Sequence, residues 1–167
     1  MIPIGLYIHI PWCEKKCPYC DFNSHEIKRN KFTHKNNKEY LNALFDDIDY
    51  EVVQQNSKVK ISSIFIGGGT PSLMPPQFYF ELFEKLRRSF DFTQDVEVTL
   101  EANPGAVDIN HFKGFKQVGI NRLSIGCQSF SDAQLNSLGR VHKSCDIYTA
   151  YEAARKSGFE NINLDLM

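Results

Sequence analysis

The chain has no apolar run approaching the roughly 20 residues that a membrane-spanning helix needs. Its N-terminus also lacks the basic region and apolar stretch of a secretory signal. Both absences lead to the expectation of a cytoplasmic protein in a reducing compartment. Charge of one sign is equally scarce: 19 Lys and Arg against 20 Asp and Glu leave a net charge of −1. That balance gives no global footprint for nucleic acid or an anionic membrane surface. The one glycine run, Gly67 to Gly69, is not followed by Gly-Lys-Ser/Thr and does not fit G-x-G-x-x-G, so neither common phosphate loop is present. Five cysteines are an odd number, which argues against a framework of paired disulfides. The remainder is ordinary: 42% hydrophobic and 23% charged residues describe a globular chain. Its 167 residues fit one domain able to bury about two-thirds of its unfolded surface.

What is present is a concentration of cysteine. Cys13, Cys17 and Cys20 fall within eight residues, spaced C-x3-C-x2-C, directly after Leu6 to Ile10, a run that reads as a buried strand. Such a loop can turn three thiolates toward one point. Three thiolates can hold three irons of a cubane cluster and leave the fourth iron open to a small molecule. Other chemistries fit parts of the pattern. Zinc would need a fourth ligand, with His25 or His9 nearby but poorly spaced. Cys17-Pro18-Tyr19-Cys20 alone is similar to the redox dithiol of glutaredoxin-like proteins, which leaves Cys13 without a task.

Downstream, the polar and basic stretch from Lys28 to Lys38 reads as a solvated loop rather than a docking patch for an acidic partner. Leu41, Leu44, Phe45, Ile48 and Val52 recur at helical spacing and predict a helix ending near Gln55. Ile61 to Ile66, apolar except for Ser62 and Ser63, reads as a strand covered on both faces, and Gly67-Gly68-Gly69-Thr70-Pro71 follows at once. After Pro75-Pro76, the stripe Tyr79, Leu82, Phe83, Leu86 and Phe90 predicts a second helix. Val96, Val98 and Leu100 alternate with polar residues in a third strand ending at Glu101. Asp108 is positioned to cap a short helix closed by Gly119. Leu123 to Ile125 is a fourth strand, Ser131 with Gln134 has the form of a capping box for a helix stopped by Gly139, Ser144 opens another helix, and Ile162, Leu164 and Leu166 form a fifth strand. Cys127 and Cys145 read as small buried hydrophobes, not iron ligands.

Strands alternating with helices across short loops predict a parallel α/β fold, an open sheet or a barrel. Cys13, Gly67, Glu101, Gln128 and Asp165 all sit at or just past the C-terminal end of a predicted strand, the ligand face of either architecture. Glycines there let backbone approach a ligand closely, and a strand-end carboxylate accepts hydrogen bonds from hydroxyls or ammonium groups.

Two segments resemble the cluster loop of radical S-adenosylmethionine (radical SAM) enzymes: Tyr7-Ile8-His9-Ile10-Pro11-Trp12-Cys13 and Cys17-Pro18-Tyr19-Cys20-Asp21-Phe22-Asn23-Ser24. They are similar in particular to the HemW branch, the haem-chaperone relatives of the oxygen-independent coproporphyrinogen III oxidase HemN. Glu101-Ala102-Asn103-Pro104-Gly105, Asn121 to Phe130 and Leu138-Gly139-Arg140-Val141-His142 resemble further segments of that branch. The resemblance implies a partial (β/α) barrel of the radical SAM type. Six strands are usual and about five are present, so residues 1–167 are expected to be an incomplete core domain, the N-terminal part of a longer protein or a shortened product.

By the same resemblance, Cys13, Cys17 and Cys20 would hold a 4Fe-4S cluster. S-adenosylmethionine (SAM) would be contacted by Gly68, Gly69 and Thr70, and by Glu101, Gln128, Arg140 and Asp165, with Tyr7 and Tyr19 lining the same pocket. A reduced cluster would pass an electron to the sulfonium, releasing methionine and a 5′-deoxyadenosyl radical. The oxidase relatives carry a further cysteine two residues after the third; here that position is Phe22, which favours a haem chaperone over an oxidase of porphyrinogen propionates or a remnant with impaired function. The implied partners are haem, a haem-acceptor protein and an electron donor.

Overall fold

A computed structural model of the chain describes residues 3–27, 34–54, 59–106 and 109–167. Its frame is a sheet of five parallel strands: β1 (Pro3–Ile10), β4 (Lys60–Gly68), β5 (Asp91–Ala102), β6 (Arg122–Gln128) and β7 (Asn161–Leu166). They lie side by side in chain order, so every crossover runs in the same direction. Right-handed crossovers then place all connecting helices on one face, as in the wall of a (β/α) barrel left open between β1 and β7. The expected partial barrel of about five strands is what the chain forms.

The helices are α1 (His34–Gln54), α2 (Pro76–Ser89), α3 (Ile109–Val118), the short α4 (Asp132–Ser137) and α5 (Ser144–Lys156). Helix α1 packs on α2, α2 on α3, and α3 on α5. Helix α2 begins with Pro76 at its first position, where a missing N–H costs nothing. Its stripe Phe78, Tyr79, Leu82, Phe83 and Leu86 is buried, each side chain stabilising the fold by about 1.5–3 kcal/mol. A Cβ at Gly114 of α3 would lie 2.5 Å from Pro76, so glycine is what lets these two helices meet.

The strand pleat divides the sheet into two surfaces. Ile8, Ile10, Ile64, Ile66, Val98, Leu100, Leu123 and Ile125 join the helix side chains in one core. Their neighbours in sequence Phe65, Glu101, Arg122 and Ser124, together with Asn163 and Asp165 of β7, point the other way and line an open cavity. This corrects the expectation for Ile61 to Ile66: β4 is covered by helices on one face only, and Phe65 is 36% exposed on the other. Asn121 extends the sheet from outside it, its amide accepting from the Val98 N–H at 2.7 Å and donating to the Val96 carbonyl at 2.8 Å.

Several local expectations need correction. The basic run does not end as a loop: His34 to Lys38 form the first turn of α1, and Lys38 bonds Glu81 of α2 at 2.9 Å. Residues 28–33 of that run, and the proposed cap Asp108, lie outside the described residues. Ser131 precedes α4 without a side-chain cap. Gln134 instead accepts the hydroxyl of Ser129, whose oxygen takes the Ser131 N–H at 3.1 Å. Val52 is exposed, and so is Cys145, which faces away from the buried stripe of Ile147, Ala150 and Ala154 on α5. Cys127 is fully buried as expected.

Candidate functional site

The cysteine loop is tied at both ends. Two short strands, β2 (Trp12–Cys13) and β3 (His25–Glu26), pair in parallel, and the Ile27 N–H reaches the Cys13 carbonyl at 2.8 Å. The Cys20 N–H turns back to the Cys17 carbonyl at 3.0 Å, and Lys16 Nζ donates to the Phe22 carbonyl at 3.1 Å. Cys13 is buried, Cys17 and Cys20 are half-buried, and all five thiols are free.

The glycine turn after β4 is joined to this loop. The Gly69 N–H donates to the Ile10 carbonyl and the Thr70 N–H to the Trp12 carbonyl, each at 2.7 Å. The Thr70 hydroxyl points at Cys13 Sγ at 3.6 Å and accepts from Asn103 Nδ2 at 3.0 Å. A Cβ at Gly69 would stand 2.6 Å from the Trp12 carbonyl oxygen and 3.0 Å from Cys13 Sγ. The glycines are thus required first by the cysteine loop itself. Gly68, at φ +117°, sends its N–H to Glu101 Oε2 at 3.2 Å, so the N–H groups of Gly68, Gly69 and Thr70 are all engaged within the protein.

From the opposite side Arg140 spreads its guanidinium over four partners. Nη2 donates to Asn103 Oδ1 at 2.6 Å and to the Gly126 carbonyl at 2.9 Å; Nη1 lies 3.5 Å from Cys17 Sγ and 3.3 Å from the Tyr19 hydroxyl. Its Nε is buried without a partner. Asp165 on β7 accepts from the Ser124 hydroxyl at 2.9 Å.

These groups surround one cavity of about 520 Å³. Cys13, Cys17, Cys20, Tyr19, Gly68, Gly69, Thr70, Glu101, Gln128, Arg140 and Asp165 all line it. Tyr7 does not: it stands beside the opening, its ring stacked on Phe65 at 6.3 Å. Lining residues that the sequence reading missed include Asn103, Arg122, Ser124 and Asn163. The strict alternation of β5 and β6 was the signal that could have found Asn103, Arg122 and Ser124. Neither His9 nor His25 reaches the cavity. The two ring nitrogens of His9 meet the Tyr7 hydroxyl at 3.0 Å and the Asn23 carbonyl at 2.7 Å, which leaves zinc without the fourth ligand considered for it.

Burial shapes the acid–base character of the site. Glu101 is raised to about 6 by burial, opposed by the Gly68 N–H and reinforced by the negative charge of Asp165. Burial also raises the Cys13 thiol, against the Thr70 hydroxyl that favours its thiolate. It raises Tyr19, against the positive charge of Arg140.

The donor set fits a thiolate-held cluster beside a polar, zwitterionic ligand. Three thiols share a cavity edge, the guanidinium-bearing Arg140 belongs to one of its walls, and two carboxylates, Glu101 and Asp165, face the same space. Among the described residues no group of three or more His, Cys, Asp or Glu converges on a single metal ion. No described helix is long and apolar enough to cross a membrane.

Comparison with known proteins agrees with this geometry. Residues 7–167 match the model of the Radical SAM superfamily. The chain is 44% identical to "Heme chaperone HemW" of Haemophilus influenzae, over 99% of this chain and 43% of that protein. It is 43% identical to the Escherichia coli protein of the same name, over 99% and 42%. Among solved structures, the radical SAM enzyme coproporphyrinogen III oxidase (HemN) from Escherichia coli superposes with a TM-score of 0.85 at 30% identity, covering 98% of this chain and 37% of that one. The chain therefore spans about two-fifths of the length of these relatives.

Proposed function

The chain belongs to the radical SAM superfamily, and from that premise we propose that it is the cofactor-binding part of a haem chaperone, holding a 4Fe-4S cluster on Cys13, Cys17 and Cys20 with SAM beside it. The observation that carries this reading is the shared cavity, in which three thiols adjoin a glycine turn, two carboxylates and an arginine. When bound, such a cluster can supply an electron to the sulfonium of SAM.

The chain's own residues have separable tasks in this reading. Cys13, Cys17 and Cys20 supply thiolates. The carbonyls of the glycine turn and the carboxylate of Glu101 accept hydrogen bonds from the ammonium or ribose hydroxyls of SAM. Arg140 sets a positive charge beside the cysteine loop and keeps Tyr19 and Asn103 in place. Gln128 and Asp165 close the far wall. Tyr7 and Phe65 present an aromatic surface at the opening.

Haem transfer to an acceptor protein, with an electron donor serving the cluster, is supported by the 44% identity to a haem chaperone, higher than the 30% to the oxidase structure. Phe22 favours the same choice, since it lines the cavity at the position where the oxidase branch carries a further cysteine. The test is titration of the cluster-loaded protein with haem, alongside an assay for coproporphyrinogen conversion. Saturable haem binding without conversion is expected; conversion without haem binding would move the protein to the oxidase branch.

A further inference from the structure

Gln128 is the one non-glycine residue among those described with a left-handed backbone, at φ +67°. It ends β6, where the pairing with β7 shifts register between Gly126 and Gln128. A long side chain in that region stores strain, and such strain persists only where the surroundings impose it. Here the surroundings can be named. The segment after α4 sends Arg140 Nη2 to the Gly126 carbonyl at 2.9 Å and His142 Nε2 to the Cys127 carbonyl at 3.1 Å. Two residues of one loop thus take two consecutive carbonyls, immediately before the strained position. On the other side the Met167 N–H donates to the Gln128 carbonyl at 3.0 Å.

His142 is 3% exposed. A carbonyl can only accept, so Nε2 carries the proton, while Nδ1 is buried with no partner. Burial, and after it the charge of Arg140, holds the ring neutral. A buried imidazole that leaves one nitrogen unpaired costs stability, and the contact it makes in return is the Cys127 carbonyl. The consequence appears in the cavity, where the Gln128 amide lies beside Asn103 and Arg140 around Gly126.

We propose that His142 is a positioning residue: with Arg140 it fixes the last peptides of β6 so that Gln128 stays left-handed and its amide is held in the cavity wall. Its effect on ligand binding rests on the reading that SAM occupies that cavity; its effect on Gln128 does not.

The experiment is a double-mutant cycle in the intact protein, with His142→Leu and Gln128→Gly, read by unfolding and by SAM affinity. Glycine adopts the left-handed conformation without strain, whereas losing the clamp in the wild type also releases the strain on Gln128, so His142→Leu should reduce the folding constant more in the Gln128→Gly background, by about fivefold. His142→Leu should weaken SAM binding about tenfold, and His142→Gln, whose amide N–H can reach the Nε2 position, should recover most of it. Should the leucine variant fail to fold, His142→Asn replaces it, since its shorter amide cannot reach Cys127. Equal costs of the His142 substitution in both backgrounds would overturn the proposal, whatever happens to SAM. Coupling in stability with unchanged SAM affinity would uphold the clamp and remove SAM from Gln128.

Discussion

Arg140 Nη1 lies 3.5 Å from Cys17 Sγ, although the two residues are 123 positions apart. Gly139, beside it at φ +71°, packs against Pro18, where a Cβ would come within 2.8 Å. The cysteine loop is therefore held from the far end of the chain as well as by its own turns. Arg140→Lys keeps the charge but loses the planar fork that serves Asn103, Gly126, Tyr19 and Cys17 together. SAM affinity of this variant is expected to fall about 10- to 100-fold, consistent with about 1.5–3 kcal/mol for charge-assisted hydrogen bonds. Calorimetric titration of the cluster-loaded protein checks this; unchanged affinity would confine Arg140 to a structural role.

Glu101 gives the site a pH dependence of definite sign. Its folded pKa, about 6, stands above the ordinary 4.5, first because of burial. The folded chain therefore binds this proton more tightly than the unfolded chain, and the stability it confers is complete below the ordinary value and lost as pH rises through about 6. Glu101→Gln should flatten that slope and, with allowance for partial solvent screening, stabilise the ligand-free protein near pH 7 by about 1 kcal/mol. SAM binding through the ionised carboxylate should move in the opposite direction, strengthening about tenfold as pH rises through the same range in the wild type and not in the variant. Chemical denaturation and SAM titration between about pH 5 and about pH 8 check both slopes.

Gly69→Ala would place a methyl group 2.6 Å from the Trp12 carbonyl and 3.0 Å from Cys13 Sγ. Backbone cannot yield as a flexible side chain can, so the cysteine loop must move, at an expected cost of about 1–3 kcal/mol. The variant should take up less iron per chain than the wild type while keeping its helical circular dichroism. Full iron loading would show that the turn and the loop are not mechanically joined.

Tyr79 is fully buried and donates its hydroxyl to the Pro71 carbonyl at 2.6 Å. It anchors the turn that follows Thr70 to helix α2. Tyr79→Phe removes one of the two hydrogen bonds that carbonyl accepts, leaving the one from the Met74 N–H at 3.0 Å, and should lower stability by about 0.5–1.5 kcal/mol, measured by denaturant unfolding at constant slope.

Much of this arrangement was legible in the sequence because parallel α/β chains place chemistry at strand ends. Cys13 stood out by its spacing, Glu101, Gln128, Asp165, Arg140 and Tyr19 by the family resemblance, and Cys13, Glu101, Gln128 and Asp165 also sit where that rule puts a ligand. What stayed hidden depends on which way a side chain points. Ile61 to Ile66 read as a two-sided strand because Phe65 is apolar, yet its ring faces the cavity mouth. Arg122 and Asn163 looked like routine polar partners in alternating strands; only the one-sided helix layer turns their face into a cavity wall. The two-residue strands β2 and β3 have no period to detect. Ser131 and Gln134 had the spacing of a capping box, but Ser129 competed for the same glutamine. Cys145 shares its helix with a buried stripe and misses its face by one position.

The central claim is that Cys13, Cys17 and Cys20 hold a cluster with a coordination position that SAM can take. Anaerobic reconstitution followed by reduction and electron paramagnetic resonance, with and without SAM, tests it most directly. The expected result is about four irons per chain, a 4Fe-4S signal that changes on SAM addition, and loss of both in Cys13→Ala, Cys17→Ala and Cys20→Ala. Protein that takes up one zinc and no iron, or a cluster whose signal ignores saturating SAM, would contradict it.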